Sequence, residues 1–126
     1  FTIDGNGQSL RSFIHSDDIC SAFKSLLLQA NPKEEYNFSN SEEISILELI
    51  KKICNLTNTN FEKLVQFGPE RKGKDLIYRM DCNKSISELG WESTITLNNG
   101  INRVYNWIKE NNSYFSKLSW DYEHKC

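Results

Sequence analysis

Ile19, Ala22, Phe23, Leu26 and Leu27 repeat at the spacing of one helical face. They follow Ser16-Asp17-Asp18, whose acids suit a helix N-terminus, and Asn31-Pro32 closes the run. The same spacing returns in Ile46, Leu49, Ile50, Ile53 and Cys54, behind Ser45-Ile46-Leu47-Glu48, a capping box in which serine and glutamate satisfy each other's free amides. Asp81 is placed to cap a short helix that closes at Leu89 with Gly90 as its stop, and Thr96 precedes a longer helix with Leu97, Ile101, Val104, Tyr105 and Ile108 on one side. Short apolar or β-branched segments predict strands over residues 1–3, 11–15, 35–38, 64–67 and 77–80. The pattern is that of a single α/β or α+β unit without repeats, spanning residues 1–115 and followed by a polar tail over 116–126. Trp120 and Tyr122 in that tail leave open a loose end or docking onto the body or a partner.

Composition narrows the functional classes. A chain of 126 residues buries one modest core, and a net charge of −2 gives no basic face of the kind that phosphate-backbone binding requires, so nucleic acid is not an expected partner. No apolar run reaches the roughly 20 residues that span a bilayer, and no charged-then-apolar leader is present; the expectation is a cytoplasmic protein that does not engage membranes. Cys20, Cys54, Cys82 and Cys126 lie far apart, with only His15 and His124 beside them, which predicts free thiols and no metal site. Cys20 and Cys54 fall on the apolar helix faces, where a thiol is a small core residue. Asn-x-Ser/Thr triplets such as Asn37-Phe38-Ser39 are expected by chance in so asparagine-rich a chain.

Two basic signals stand out against this background. In Glu70-Arg71-Lys72-Gly73-Lys74-Asp75, three cations surround a glycine that permits a tight turn, and two carboxylates flank them. An arginine fork with movable lysine charges suits a diphosphate, while a solvated charged loop is the plainer alternative. The second signal is Gly5-Asn6-Gly7-Gln8-Ser9-Leu10-Arg11-Ser12-Phe13-Ile14-His15-Ser16-Asp17-Asp18, where a glycine turn leads to an isolated Arg11. Arg11 is read either as a ligand of an anion or as the partner of Asp17 or Asp18. His15 reads as packing, since spacing gives it no carboxylate partner, and Trp91 reads as a core anchor. Asp81 and Lys84 read as a helix cap and a surface cation.

Taken in order with Tyr36-Asn37-Phe38, Asp81-Cys82-Asn83-Lys84 and Leu89-Gly90-Trp91, these blocks resemble the C-terminal part of the extended short-chain dehydrogenase/reductases, the NAD-dependent epimerase/dehydratase family. Within it the pattern is most similar to the nucleotide-sugar 4,6-dehydratases that act on dTDP-glucose. The resemblance covers residues 1–115 and implies an α/β substrate-binding lobe, with the Rossmann domain absent from this sequence. Neither a Gly-x-x-Gly-x-x-Gly fingerprint nor a Tyr-x-x-x-Lys pair is present, and the chain starts at Phe1 without an initiator Met. The resemblance therefore implies a C-terminal piece of a longer enzyme, inactive by itself, whose N-terminal Rossmann domain binds NAD and carries the catalytic groups. None is expected here. The family reaction oxidises the hexose at C4 by hydride transfer to NAD⁺, eliminates water across C5 and C6, and returns the hydride to C6.

By the same resemblance, Arg11 reaches the substrate diphosphate, Asn37 binds the nucleotide portion, and Glu70, Arg71, Lys72, Gly73 and Lys74 form the segment that closes over the nucleotide, with Arg71 on phosphate. The expected partners are a nucleotide-diphosphate sugar and the N-terminal domain of the same protein, with a homodimeric full-length enzyme. Three positions depart from the family pattern. Ser12 stands where the family has an aspartate that orients the arginine, Ser16 replaces an apolar residue, and Lys72 and Lys74 replace proline and histidine. The alternatives are a nucleotide-sugar 4-epimerase or UDP-glucuronate decarboxylase of the same family, or a non-catalytic nucleotide-sugar-binding module.

Overall fold

The structure, a computed structural model, describes residues 1–119. Its strands are three residues long and pair in two separate ribbons. β1 (Thr2–Asp4) runs parallel to β4 (Gln66–Gly68), with Ile3 opposite Phe67. β2 (Leu10–Ser12) runs antiparallel to β3 (Glu43–Ser45), with Arg11 opposite Ile44. The helices are α1 (Ser16–Gln29), α2 (Ile46–Thr57), α3 (Phe61–Leu64), α4 (Asn83–Leu89), α5 (Leu97–Glu110) and α6 (Asn112–Phe115).

The helix ends follow the local chemistry. The Ser45 hydroxyl accepts from the Glu48 amide at 3.1 Å and the Glu48 carboxylate returns a bond to the Ser45 amide, so the capping box opens α2. Thr96 Oγ1 accepts from the Asn99 amide at the start of α5. Gly90, with φ +57°, terminates α4 in the left-handed conformation open to glycine. Asp81 caps one position early: its carboxylate accepts from the Asn83 amide at 2.9 Å, and Cys82 is the residue that leads into the helix. His15 is neither in a strand nor simple packing, because its Nδ1 accepts from the Asp17 amide at 3.1 Å and caps α1.

The core gathers Ala22 from α1, Leu89 from α4 and Trp91, with Ile14, Leu26, Tyr36 and Phe38 against them. The Phe38 and Trp91 rings meet edge to face at 4.8 Å, and the Trp91 indole donates to Ser21 Oγ at 2.8 Å. Asp18 is 3% exposed and ties α1 to the segment before α5. Its carboxylate accepts from the Thr94 amide, the Thr94 hydroxyl and the Ile95 amide at 2.9–3.1 Å. Burial works against its charge, but these donors and nearby His15 outweigh it and hold the carboxyl below its ordinary value.

Several expected elements differ from the structure. Residues 35–38 form no strand: Ser85 Oγ donates to the Asn37 carbonyl at 2.5 Å and Tyr36 Oη to Glu88 at 2.8 Å, so side chains of α4 take the place of a partner strand. Residues 77–80 are reduced to a bridge between Leu10 and Ile77, and 11–15 to a pairing that ends at Ser12, opposite Glu43 where β3 begins. Leu64 belongs to α3, and β4 begins at Gln66. Cys20 is exposed, unlike buried Cys54; both are free, as is Cys82. On the same helix Phe23 and Leu27 are 61% and 87% exposed, so the apolar face of α1 is covered only along the Ala22 line. Of the tail, residues 120–126 lie outside the described residues, Cys126 among them.

Candidate functional site

The turn from β1 to β2 shapes the site. Gly5 and Gly7 adopt φ +64° and +71°, and the Asn6 side chain accepts from the Gln8 amide at 3.0 Å. A Cβ on Gly7 would stand 3.1 Å from Ile3 and Leu47, which shows how closely the turn rests on α2. The Leu47 and Ile46 amides donate to the Gly7 and Ser9 carbonyls at 3.0 and 3.2 Å and fix that contact. On its other side the Gly5 amide donates to the Gly68 and Pro69 carbonyls, both at 3.2 Å, which seats the cationic loop against the turn.

That loop is bound across a long sequence gap. Arg11 Nη2 donates to the Asp75 carbonyl at 3.0 Å, 64 positions away, and Nη1 donates to the Leu10 carbonyl at 2.6 Å. The family aspartate replaced by Ser12 is thus not needed to orient Arg11, because backbone carbonyls hold two of its five N–H groups. Asp17 pairs with Arg103 at 3.1 Å and Asp18 with the Thr94–Ile95 segment, so neither is the partner of Arg11. Lys74 Nζ lies 2.9 Å from Glu70 Oε1 and 3.3 Å from the Asp4 carbonyl. The Glu70 carboxylate occupies the space where a Cβ on Gly5 would sit, at 1.8 Å from Oε2.

The outcome is a cleft of about 260 Å³ lined by Arg11, Arg71 and Lys74 together with Ser9, Thr2 and Asp4. Glu70 borders it through Lys74, while Lys72 and Gly73 are exposed and do not line it; Gly73 makes the turn with φ +75°. Asn37 is elsewhere, donating to the Asp81 carbonyl at 3.1 Å beside α4. Ser9 was not singled out from sequence, although it stands two residues before Arg11, the spacing that puts side chains on one side of an extended chain.

The cleft can hold an anion, since three cations, Arg11, Arg71 and Lys74, line it against the one carboxylate of Asp4 among its lining residues. His15 is committed as a helix cap, and burial pushes the Cys82 thiol up, away from thiolate reactivity. Among the described residues no group of His, Cys, Asp or Glu is arranged to hold a metal ion. A larger cavity, about 610 Å³, lies between α2 and α5 and is lined by Leu49, Ile53, Ile101, Val104 and Ile108 with very little polar surface. Its apolar walls offer no counter-charge to a phosphate, so the smaller cationic cleft is the candidate for an anionic ligand.

The same arrangement of helices and short strands occurs in the extended short-chain dehydrogenase/reductases. A dTDP-glucose 4,6-dehydratase from Streptomyces venezuelae, solved with NAD bound, superposes with a TM-score of 0.87 over 94% of this chain and 37% of its own, at 26% identity. The UDP-glucose 4-epimerase of Thermotoga maritima, solved with UDP-glucose, shares the fold at a TM-score of 0.79 and 23% identity, over 87% of this chain and 35% of its own. The chain belongs to the GDP-mannose 4,6 dehydratase family, whose model matches residues 1–104. The dTDP-glucose 4,6-dehydratase of Escherichia coli is 27% identical over 90% of the chain. The chain spans about a third of that relative's length, 34%.

NAD does not fit the residues described here. Gly5-Asn6-Gly7 joins β1 to β2 where a dinucleotide site needs a strand-to-helix turn, and the Gly5 amide is already bonded to two carbonyls.

Proposed function

We propose that this chain is the substrate-binding lobe of a longer, NAD-dependent nucleotide-sugar 4,6-dehydratase whose substrate is dTDP-glucose. Arg11, Arg71 and Lys74 grip the diphosphate, Glu70 sets Lys74, and Lys72 and Gly73 close the loop over the ligand; Asn37, which lies outside the cleft beside α4, meets the nucleotide portion only where the ligand extends beyond the cleft. The observation that carries this reading is the meeting of Arg11, Arg71 and Lys74, from opposite halves of the chain, in one small cleft. Guanidinium forks beside an ammonium are the donor set that a diphosphate calls for. The NAD-binding domain and the reacting groups lie in the remainder of the polypeptide, which docks on the exposed apolar face of α1. The lobe alone has no turnover and binds nucleotide sugar weakly, and the full-length enzyme is a cytoplasmic homodimer.

The decisive assay incubates the full-length protein with dTDP-glucose. The expected outcome is a 4-keto-6-deoxy product; turnover of a UDP-sugar in its place would move the assignment to an epimerase or decarboxylase of the same family. Arg11→Ala and Arg71→Ala are each expected to raise KM about 10- to 100-fold, the loss of one or two charge-assisted hydrogen bonds. An unchanged KM in both variants would leave the cleft without a role in substrate binding.

A further inference from the structure

We propose that Ser9 is a further ligand-binding residue: its hydroxyl donates to a phosphate oxygen of the nucleotide sugar held between Arg11 and Arg71. The assignment rests on the reading of the cleft given above.

Ser9 lines the cleft and is 2% exposed. Its Oγ is buried with no hydrogen-bond partner among the described residues. The other buried serines show how differently this fold treats a hydroxyl it has no use for. Ser45 Oγ bonds the Glu48 carboxylate at 2.8 Å, and Ser85 Oγ donates to the Asn37 carbonyl at 2.5 Å. Half-buried Ser12 likewise donates to the Asn40 carbonyl. Burying a hydroxyl without a partner destabilises the fold, so the exception calls for a compensating role.

The surroundings determine what that role is. The Ser9 carbonyl accepts from the Ile46 amide at 3.2 Å, which fixes the backbone at the foot of α2 and leaves only the side-chain rotor free. The charged groups that share the cleft with it are Arg11, Arg71, Lys74 and Asp4. Three of these are donors only and cannot accept the serine proton. A ligand oxygen that satisfies the cations also presents a lone pair to Ser9, and a phosphate carries several such lone pairs in one place. A neutral hydroxyl among cations adds direction without adding charge, and it discriminates a phosphate bridge from a ligand that presents apolar atoms there.

The test measures binding of dTDP and of UDP to the full-length protein by calorimetry, together with the ligand-free melting temperature, for the wild type, Ser9→Ala and Arg11→Ala. The expected result for Ser9→Ala is a dissociation constant about 10-fold higher for both nucleotides, the loss of one charge-assisted hydrogen bond. Its ligand-free melting temperature should be equal or higher, because alanine removes the unpaired hydroxyl. A purely structural role would move the two readouts in the same direction. If Ser9→Ala binds both nucleotides as the wild type does while Arg11→Ala is impaired, the Ser9 hydroxyl is a passive wall and this inference fails while the cleft stands. If the wild type binds neither nucleotide, the reading of the cleft fails and Ser9 falls with it.

Discussion

Asp18 shows how much a single residue can do in a fold this lean. Read along the chain, it is one of two acids at a helix N-terminus; in three dimensions its carboxylate takes three donors from Thr94 and Ile95, more than 70 positions on. The spacing around Asp18 contains no trace of those donors, so the clasp was not legible locally, whereas its company at the head of α1 was. The lowered native value fixes the sign of its pH dependence. The unfolded carboxyl titrates at 3.8, so the stability it adds is complete above that pH and is lost as pH falls from there through the lower native value. Urea denaturation between pH 6 and 3 should therefore show stability falling at the acid end, with Asp18→Asn flattening that dependence. At neutral pH the asparagine variant is expected to lose about 3 kcal/mol, since its amide turns N–H groups toward N–H donors. Equal stability of the two proteins at pH 7 would remove the clasp from the account.

At the scale of elements, the helices were legible because their signals are local. The capping box needs only Ser45 and Glu48, three residues apart, and Ser45→Ala should lower stability by about 1–2 kcal/mol in the same denaturation measurement. Turns are less forgiving. Gly5 combines φ +64° with a Glu70 carboxylate lying where its side chain would be. Gly5→Ala is expected to cost about 1–2 kcal/mol in backbone strain and to push Glu70 off Lys74, so that nucleotide affinity falls along with the melting temperature. The strands were legible in part. Residues near 1–3 and 64–67 found each other as β1 and β4, but 35–38 and 77–80 did not become ladders. A strand exists only where a second one offers its amides, and that depends on distant chain, which apolar patterning does not encode. β3 was overlooked for the same reason: Glu43–Ser45 reads as the approach to a capping box, and pairing with Leu10–Ser12 makes it a strand.

For the whole molecule, the apolar surface left open is the main fact. Phe23, Leu27 and Leu28 stand 61%, 87% and 71% exposed on α1, and the groove between α2 and α5 is apolar along its length. The isolated chain should therefore bind a hydrophobic dye and self-associate with rising concentration, and Leu27→Glu together with Leu28→Glu should suppress both; a monodisperse, dye-silent wild-type chain would contradict this. In the full-length protein the amides of α1 should exchange more slowly than in the isolated chain, as the proposed docking of the remaining polypeptide requires. The sequence by itself determined the helices α1, α2, α4 and α5, the caps at Ser45, Thr96 and Gly90, the lack of a dinucleotide fingerprint and the family, since each of these is written in residues a few positions apart or in motifs kept in a fixed order. Only the tertiary structure decided that Arg11, Arg71 and Lys74 border one cleft, that Asn37 lies apart from it, and that a serine without a partner among the described residues stands with the cations. The reason is that hydrogen-bond partnership and burial arise between segments that folding brings together, and a linear order of residues carries no distance between them.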